Sequence, residues 1–261
     1  MPKKKHTSGN LNAKSDFFVE FIPSISDKII TNIQSKTKIL HDSLLNYVAQ
    51  NTLADLRINH GKLTIIDNGG QYFVLQARIE SVIKSANPKI KYESLVEMKK
   101  HACYQSTRNR FRRSRLYIPG NQAKLMLNAG IHQPDAIILD LEDSVVQTEK
   151  DSARLIVRNA LRHLDFFGAE RMVRINQGRT GIKDLEAVIP HNVHLVLVPK
   201  VEKAGQLKEV DDKIQTICKK YGRKDPVYLM PIIETATGIL NSLKIAKVSK
   251  NNVAIAIGLE D

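Results

Sequence analysis

The chain predicts an α/β fold of about six parallel strands behind a small α+β domain, and three observations carry that prediction. From Phe111 onward, short β-branched runs alternate with segments of helical spacing, the pattern of right-handed βαβ units around a parallel sheet. Nearly every strand run ends in a charged or turn residue. Before residue 111 the pattern is different: one apolar and acidic alternation, two helical stretches, and an Asp67-Asn68-Gly69 turn.

Taken in order, residues 1–14 read as a basic tail. Met1 to His6 is basic with no apolar stretch behind it, unlike a secretion signal or an Arg-rich transit peptide. Residues 15–84 read as the small domain, large enough for a modest core. Asp16 to Ile22 alternates before Pro23, and Ile29 to Gln50 has helical spacing. Leu63 to Ile66 runs into the Asp67-Asn68-Gly69 turn with Tyr72 to Leu75 as a return strand, which predicts a β-hairpin. Gln76 to Lys84 then reads as a helix. Residues 85–110 form a basic linker, and residues 111–261 the second domain.

In that domain the strands are expected at Arg115 to Ile118, Ala136 to Leu141, Arg171 to Asn176, His194 to Lys200, Val227 to Glu234 and Val253 to Leu259. Helices are expected around Lys124 to Leu127, Glu149 to Leu164, Ile182 to Ile189, Gly205 to Tyr221 and Gly238 to Val248. No G-x-G-x-x-G and no G-x-x-x-x-G-K-[ST] follows any strand, which favours a (β/α)8 TIM barrel over a doubly wound nucleotide-binding sheet. Six strands do not complete eight units, so the barrel is expected to be incomplete.

Active sites of such barrels lie at the C-terminal ends of the strands. The most informative stretch is therefore Ala136 to Arg154, where an apolar run ends in Asp140, Glu142 and Asp143. A solvated acidic turn capping a helix is the alternative reading of that stretch alone. The other strand ends supply Arg174 with Asn176, Lys200, Glu234, and Glu260 with Asp261. A structural ion-pair network is the competing account of such a ring. For Lys200, pairing with these acids is favoured over facing a substrate carboxylate.

A net charge of +13 raises nucleic-acid binding as a hypothesis. Much of the excess lies in the tail and in Lys99 to Arg115, but Tyr104 and Phe111 are the only interleaved aromatics, and no nucleic-acid-binding signature is present. A linker that steers a phosphorylated arm, or a solvated linker, accounts for the charge as well. Cys103 and Cys218 form no metal or redox pattern and suit a reducing, cytoplasmic setting. No apolar run approaches the roughly 20 residues that a membrane helix needs.

The motifs RRSRLYIPGN, IILDLEDSV, EKDSAR, VRIN, DLEAVI, VPK, IIETATGI and AIAIGLED, in this order, resemble the beta subunit of citrate lyase, of the HpcH/HpaI aldolase and citrate lyase superfamily. SDFFVEFIP and IDNGGQYFVLQARIESVI resemble the gamma subunit of the same enzyme, its acyl carrier protein. The resemblance implies a gamma and beta fusion whose beta part, residues 111–261, is C-terminally truncated. It implies Mg2+-dependent cleavage of a citryl thioester into oxaloacetate and an acetyl thioester, with an alpha subunit as partner in an oligomer. Glu234 and Asp261 match the metal ligands and Arg174 the substrate-carboxylate arginine. Glu142 and Asp143 would line the same mouth and orient metal-bound waters. Arg113, Ser114 and Arg115 match groups near the carrier or coenzyme.

In the gamma family a serine within G-T-L-E-S-x-D carries a phosphoribosyl-dephospho-coenzyme A arm. The matching stretch here, Gly9 to Asp16, is one residue longer; Ser15 is the nearest candidate and Ser8 a weaker one, with an N-terminal cap or turn as the other reading of Ser15. A tethered arm would raise the local concentration of substrate at the lyase, with about Ser85 to Arg110 as tether. A malyl- or citramalyl-thioester lyase, and an inactive carrier or assembly subunit, are the alternatives.

Overall fold

The computed structural model describes residues 4–24, 28–35 and 42–259, which form two compact units. One comprises Met1–Glu97 together with Gln147–His163, the other Met98–Val146 together with Leu164–Asp261.

The first unit is built on a four-stranded sheet of β1 (His6–Ser8), β2 (Phe17–Ile22), β3 (Ile29–Ser35) and β4 (Gly61–Asp67), in the order β1-β2-β4-β3. β2 runs antiparallel to both β1 and β4, whereas β3 runs parallel to β4. The alternation seen at Asp16 to Ile22 is the pleat of β2, which buries Phe17, Val19 and Phe21 beside Leu63 and Ile65 of β4. Three residues of the expected basic tail, His6 to Ser8, are thus an edge strand.

Two local expectations are corrected here. Ile29 to Ser35 is a strand and not the start of a helix; its period of two wins because β4 offers it a full parallel ladder from Ile29–Gly61 to Ser35–Asp67. The helix in that stretch is α1 (Asp42–Asp55). The expected hairpin does not form either, because both edges of β4 are already taken, by β2 and β3. Tyr72 to Leu75 instead opens α2 (Tyr72–Ala86), which buries Phe73, Val74, Ala77, Val82 and Ile83 among others and so is covered on most of its circumference. The Asp67 carboxylate turns the chain by accepting the N–H groups of Gly69 (2.7 Å) and Gly70 (3.3 Å). Gly70 has no alternative, since a Cβ there would sit 2.3 Å from the Phe17 ring.

The second unit carries β5 (Arg115–Pro119), α3 (Ala123–Asn128), β6 (Ala136–Asp140), β7 (Glu170–Arg174), β8 (Leu195–Val198), β9 (Tyr228–Ile233) and β10 (Ala256–Ile257). Its strands are parallel and lie in sequence order, an open six-stranded half-barrel and so an incomplete TIM barrel. Between β6 and β7 the chain passes through α4 (Lys150–His163); α5 (Gly178–Val188), α6 (Ala204–Tyr221) and α7 (Ala236–Lys247) link the later strands. Ala136, Ile138, Met172, Leu195, Leu197, Tyr228, Met230 and Ile232 form one buried cluster. Strands buried on both faces are why these runs are almost wholly apolar.

The expected linker is bound down on both sides. Ser94, in the first unit, bonds Glu80 through its N–H (3.1 Å) and Asp55 through its hydroxyl (2.7 Å). In the second unit residues 102–112 act as a strap. Arg112 holds the buried Glu170 carboxylate with two bonds of 2.6 and 2.8 Å, and Ser106 bonds it as well. Arg171 donates to the Ala102 carbonyl, and the ring of His194 meets the Tyr104 carbonyl at 2.8 Å. Arg108 donates to the Asn252 carbonyl and Arg113 pairs with Asp135. The arginines that suggested a phosphate-binding linker are therefore engaged with their own unit.

Helix α4, expected to belong to the barrel, groups with the first unit. Arg158 of α4 lies fully buried and binds both oxygens of the equally buried Glu80 on α2, at 3.0 and 2.8 Å. Asn159 donates to the Phe73 carbonyl at 2.9 Å. Ser152 bonds Ser8 (2.8 Å) and Arg78 (2.8 Å), and Arg78 in turn holds Asp16 through a two-point contact. The buried polar groups of the α2 face thus find partners on α4.

Candidate active site

β6 and β7 run in parallel register so that their last residues, Asp140 and Arg174, stand side by side. The two form a fork-to-fork pair: Nε of Arg174 lies 2.7 Å from Oδ1 of Asp140, and Nη2 lies 2.8 Å from Oδ2. Asp140 is 1% exposed, and its two oxygens also accept the N–H groups of Glu142 (3.0 Å) and Ser144 (3.1 Å). Burial would raise the Asp140 pKa, but the bonds from Arg174 and Ser144 outweigh it and hold the carboxyl below its usual range. Burial likewise opposes the charge on Arg174, and Asp140 overcomes it, so the guanidinium is held protonated more firmly than a free arginine.

The third guanidinium nitrogen, Nη1, points to the loop after β6. It lies 3.3 Å from Oε2 of Glu142 and 3.5 Å from Oδ2 of Asp143. From the end of β8, Nζ of Lys200 approaches the same two acids at 3.5 and 3.6 Å. The Tyr117 ring of β5 stacks on Arg174 with its centroid 5.3 Å from the guanidinium carbon. Glu234, after β9, joins through the backbone: its Oε2 accepts the Lys200 N–H at 2.9 Å. Asn176 is used structurally, donating to the Leu141 carbonyl and to Asp184.

Four of the expected residues, Arg174, Glu142, Asp143 and Glu234, therefore meet at one set of strand ends, together with Lys200. Asp261 and Glu260 lie outside the described residues. Asp140 was visible only as one acid of a cluster; its register partner on the next strand makes it the residue that aims Arg174.

The Glu142 carboxyl is pushed up to about 7, first by burial and then by its hydrogen bond with Asp143, while Arg174 and Lys200 pull it back. The folded chain therefore keeps this proton longer than the unfolded chain does, and the contribution of Glu142 to stability falls as pH rises from about 4.5 to about 7. A carboxyl carbon-13 titration should give Glu142 a midpoint near 7, and Glu142→Gln should flatten the stability profile across that window. A midpoint at the ordinary glutamate value would contradict this environment.

Of the two expected metal ligands, Glu234 is the one that lies within the described residues. Its Oε1 and Cγ lie over Gly258, where a Cβ would come within 2.9 and 2.5 Å of them, so only glycine leaves this carboxylate its place. One or two carboxylates completed by water and substrate oxygens suit Mg2+. Among the described residues no group of three or more His, Cys, Asp or Glu side chains forms a ready-made cage.

In the first unit Ser15 closes the loop from β1 to β2 in the left-handed region, at φ 59°, and its N–H bonds the Asn68 carbonyl at 3.0 Å. Ser8 is instead buried in β1 and bonded to Ser152, which leaves Ser15 the more accessible of the two hydroxyl candidates.

A sequence profile described as HpcH/HpaI aldolase/citrate lyase matches residues 113–261, and one described as malonate decarboxylase delta subunit, of the acyl carrier protein type, matches residues 3–86. Citrate lyase subunit beta of Haemophilus influenzae is 39% identical over 155 residues, 58% of this chain and 53% of that protein. The mitochondrial citramalyl-CoA lyase of Mus musculus is 31% identical over 163 residues, 60% of this chain and 48% of that one. Among solved structures, the citrate lyase beta subunit of M. tuberculosis complexed with oxaloacetate and magnesium is 28% identical with a TM-score of 0.46, over 57% of this chain and 60% of that one. The chain spans about half the length of the curated relatives it matches.

Proposed function

The chain belongs to the HpcH/HpaI aldolase/citrate lyase family, and from that membership we propose that it acts in the Mg2+-dependent cleavage of a citryl thioester to oxaloacetate and an acetyl thioester, with an acyl carrier domain on the same polypeptide. The observation that carries this reading is the convergence of Arg174, Glu142, Asp143, Lys200 and Glu234 on the C-terminal ends of adjacent strands.

The reaction breaks the carbon–carbon bond beside a tertiary hydroxyl. Glu142, poised near neutrality, is suited to take the hydroxyl proton as the ketone forms and to return it to the enolate carbon of the departing acetyl thioester. Arg174, held rigid by Asp140, presents Nη1 to a carboxylate of the substrate. Asp143, at the rim, would orient water. Glu234, with Asp261, would hold Mg2+, whose contribution when bound is to polarise the oxygens of the emerging keto acid. Ser15 would carry a phosphoribosyl-dephospho-coenzyme A arm, and a citrate lyase alpha subunit would supply the acyl exchange in a cytoplasmic oligomer. Among the described residues no helix is long and apolar enough to cross a membrane.

The similarity to mouse citramalyl-CoA lyase supports a second reading, a lyase for citramalyl or malyl thioesters. Both are tested by incubating the full chain with citryl-CoA and with citramalyl-CoA and following keto acid release. Oxaloacetate from citryl-CoA is expected, lost with EDTA and restored by Mg2+. Cleavage of citramalyl-CoA alone would select the second reading. Cleavage that survives EDTA would remove the metal from the mechanism.

A further inference from the structure

Lys200 occupies an unusual backbone position for its residue type. It lies two residues past β8 with φ 52°, in the left-handed region that costs energy for any residue but glycine. That conformation does two things. It aims the Lys200 N–H at Oε2 of Glu234, and it lets the chain turn so that the next N–H, of Val201, donates to the Ile232 carbonyl at 3.1 Å. Glycine would serve both purposes at lower cost. What glycine cannot supply is the ammonium, which reaches across to Glu142 and Asp143.

We propose that Lys200 is a positioning residue of the lyase site: its backbone holds Glu234, and its ammonium holds Glu142 and Asp143 so that Nη1 of Arg174 stays available to a keto acid carboxylate. The proposal rests on the functional reading above and deepens it. Four carboxyl groups, on Asp140, Glu142, Asp143 and Glu234, face two cations, Arg174 and Lys200. Nε and Nη2 of Arg174 are committed to Asp140. Without the ammonium, Glu142 and Asp143 would bear more heavily on Nη1, in competition with an incoming dicarboxylate, and the added negative charge would oppose that anion.

The two roles separate by substitution. Lys200→Gly keeps the left-handed turn and the N–H to Glu234 while removing the charge; Lys200→Arg keeps the charge and the backbone cost. Oxaloacetate binding to the full chain at saturating Mg2+, followed by calorimetry, should weaken at least about tenfold in Lys200→Gly, the effect expected when a cation is lost beside an anion subsite. Its thermal midpoint should stay level or rise, and Lys200→Arg should recover most of the affinity. Unchanged oxaloacetate affinity in Lys200→Gly would overturn the proposal, as would a Lys200→Arg variant as weak as the glycine one. Failure of the unaltered chain to bind oxaloacetate with Mg2+ would instead overturn the lyase reading itself and this role with it.

Discussion

Replacing Glu80 by glutamine in the full chain should lower the unfolding free energy by about 3–5 kcal/mol, the cost of leaving one partner of a buried ion pair uncompensated. Arg158 and Glu80 are both 0% exposed, and Arg158 has its Nη1 and Nη2 on the two Glu80 oxygens. Burial alone would raise the Glu80 pKa; Arg158 and Lys84 reverse that and hold it below the ordinary value. A depressed folded pKa means that the stabilisation is present above the unfolded value and is lost as pH falls through the folded one. Urea unfolding followed by circular dichroism measures the effect, and the Glu80→Met, Arg158→Met pair controls for it. The double variant should recover much of the loss, since well-packed apolar groups often replace a buried ion pair without penalty. A single variant within about 1 kcal/mol of the parent would show that water or rearrangement compensates the pair.

Arg174→Lys should reduce kcat/KM for citryl-CoA by about 100-fold or more, a loss of the size that misplacement by an ångström produces at a reacting centre. Lysine keeps the charge but loses the planar fork. One ammonium cannot span both oxygens of Asp140 and still reach Glu142, so the point of attachment for the substrate carboxylate moves. Asp140→Asn should act in the same direction without touching the substrate, by unlocking the guanidinium. Parent-like kinetics for Arg174→Lys would reduce this arginine to a structural role.

The order of strands and helices in the second unit was legible in the sequence to within a few residues because the central strands are buried on both faces and end in polar turns. Ile137 to Leu139 or Val196 to Val198 cannot be read as exposed chain, and a charged residue after such a run has only the strand end to occupy. The charged ends themselves, Glu142, Asp143, Arg174 and Glu234, were legible on the same logic. The small domain was less so. Ile29 to Ser35 and Tyr72 to Leu75 are short runs that carry both periods, and which one prevails depends on whether a neighbouring edge is free.

By itself, then, the sequence determined the kind of fold, the ring of candidate side chains and the family resemblance, all of which follow from local periodicity and residue identity. Tertiary structure alone decided that Asp140 locks Arg174, because strand register is a property of two segments together. It alone decided that the linker arginines are engaged with acids and carbonyls of their own unit, and that α4 answers the buried polar groups of α2. A charge in a sequence has no partner until folding brings one within hydrogen-bond distance, and burial then makes that pairing obligatory.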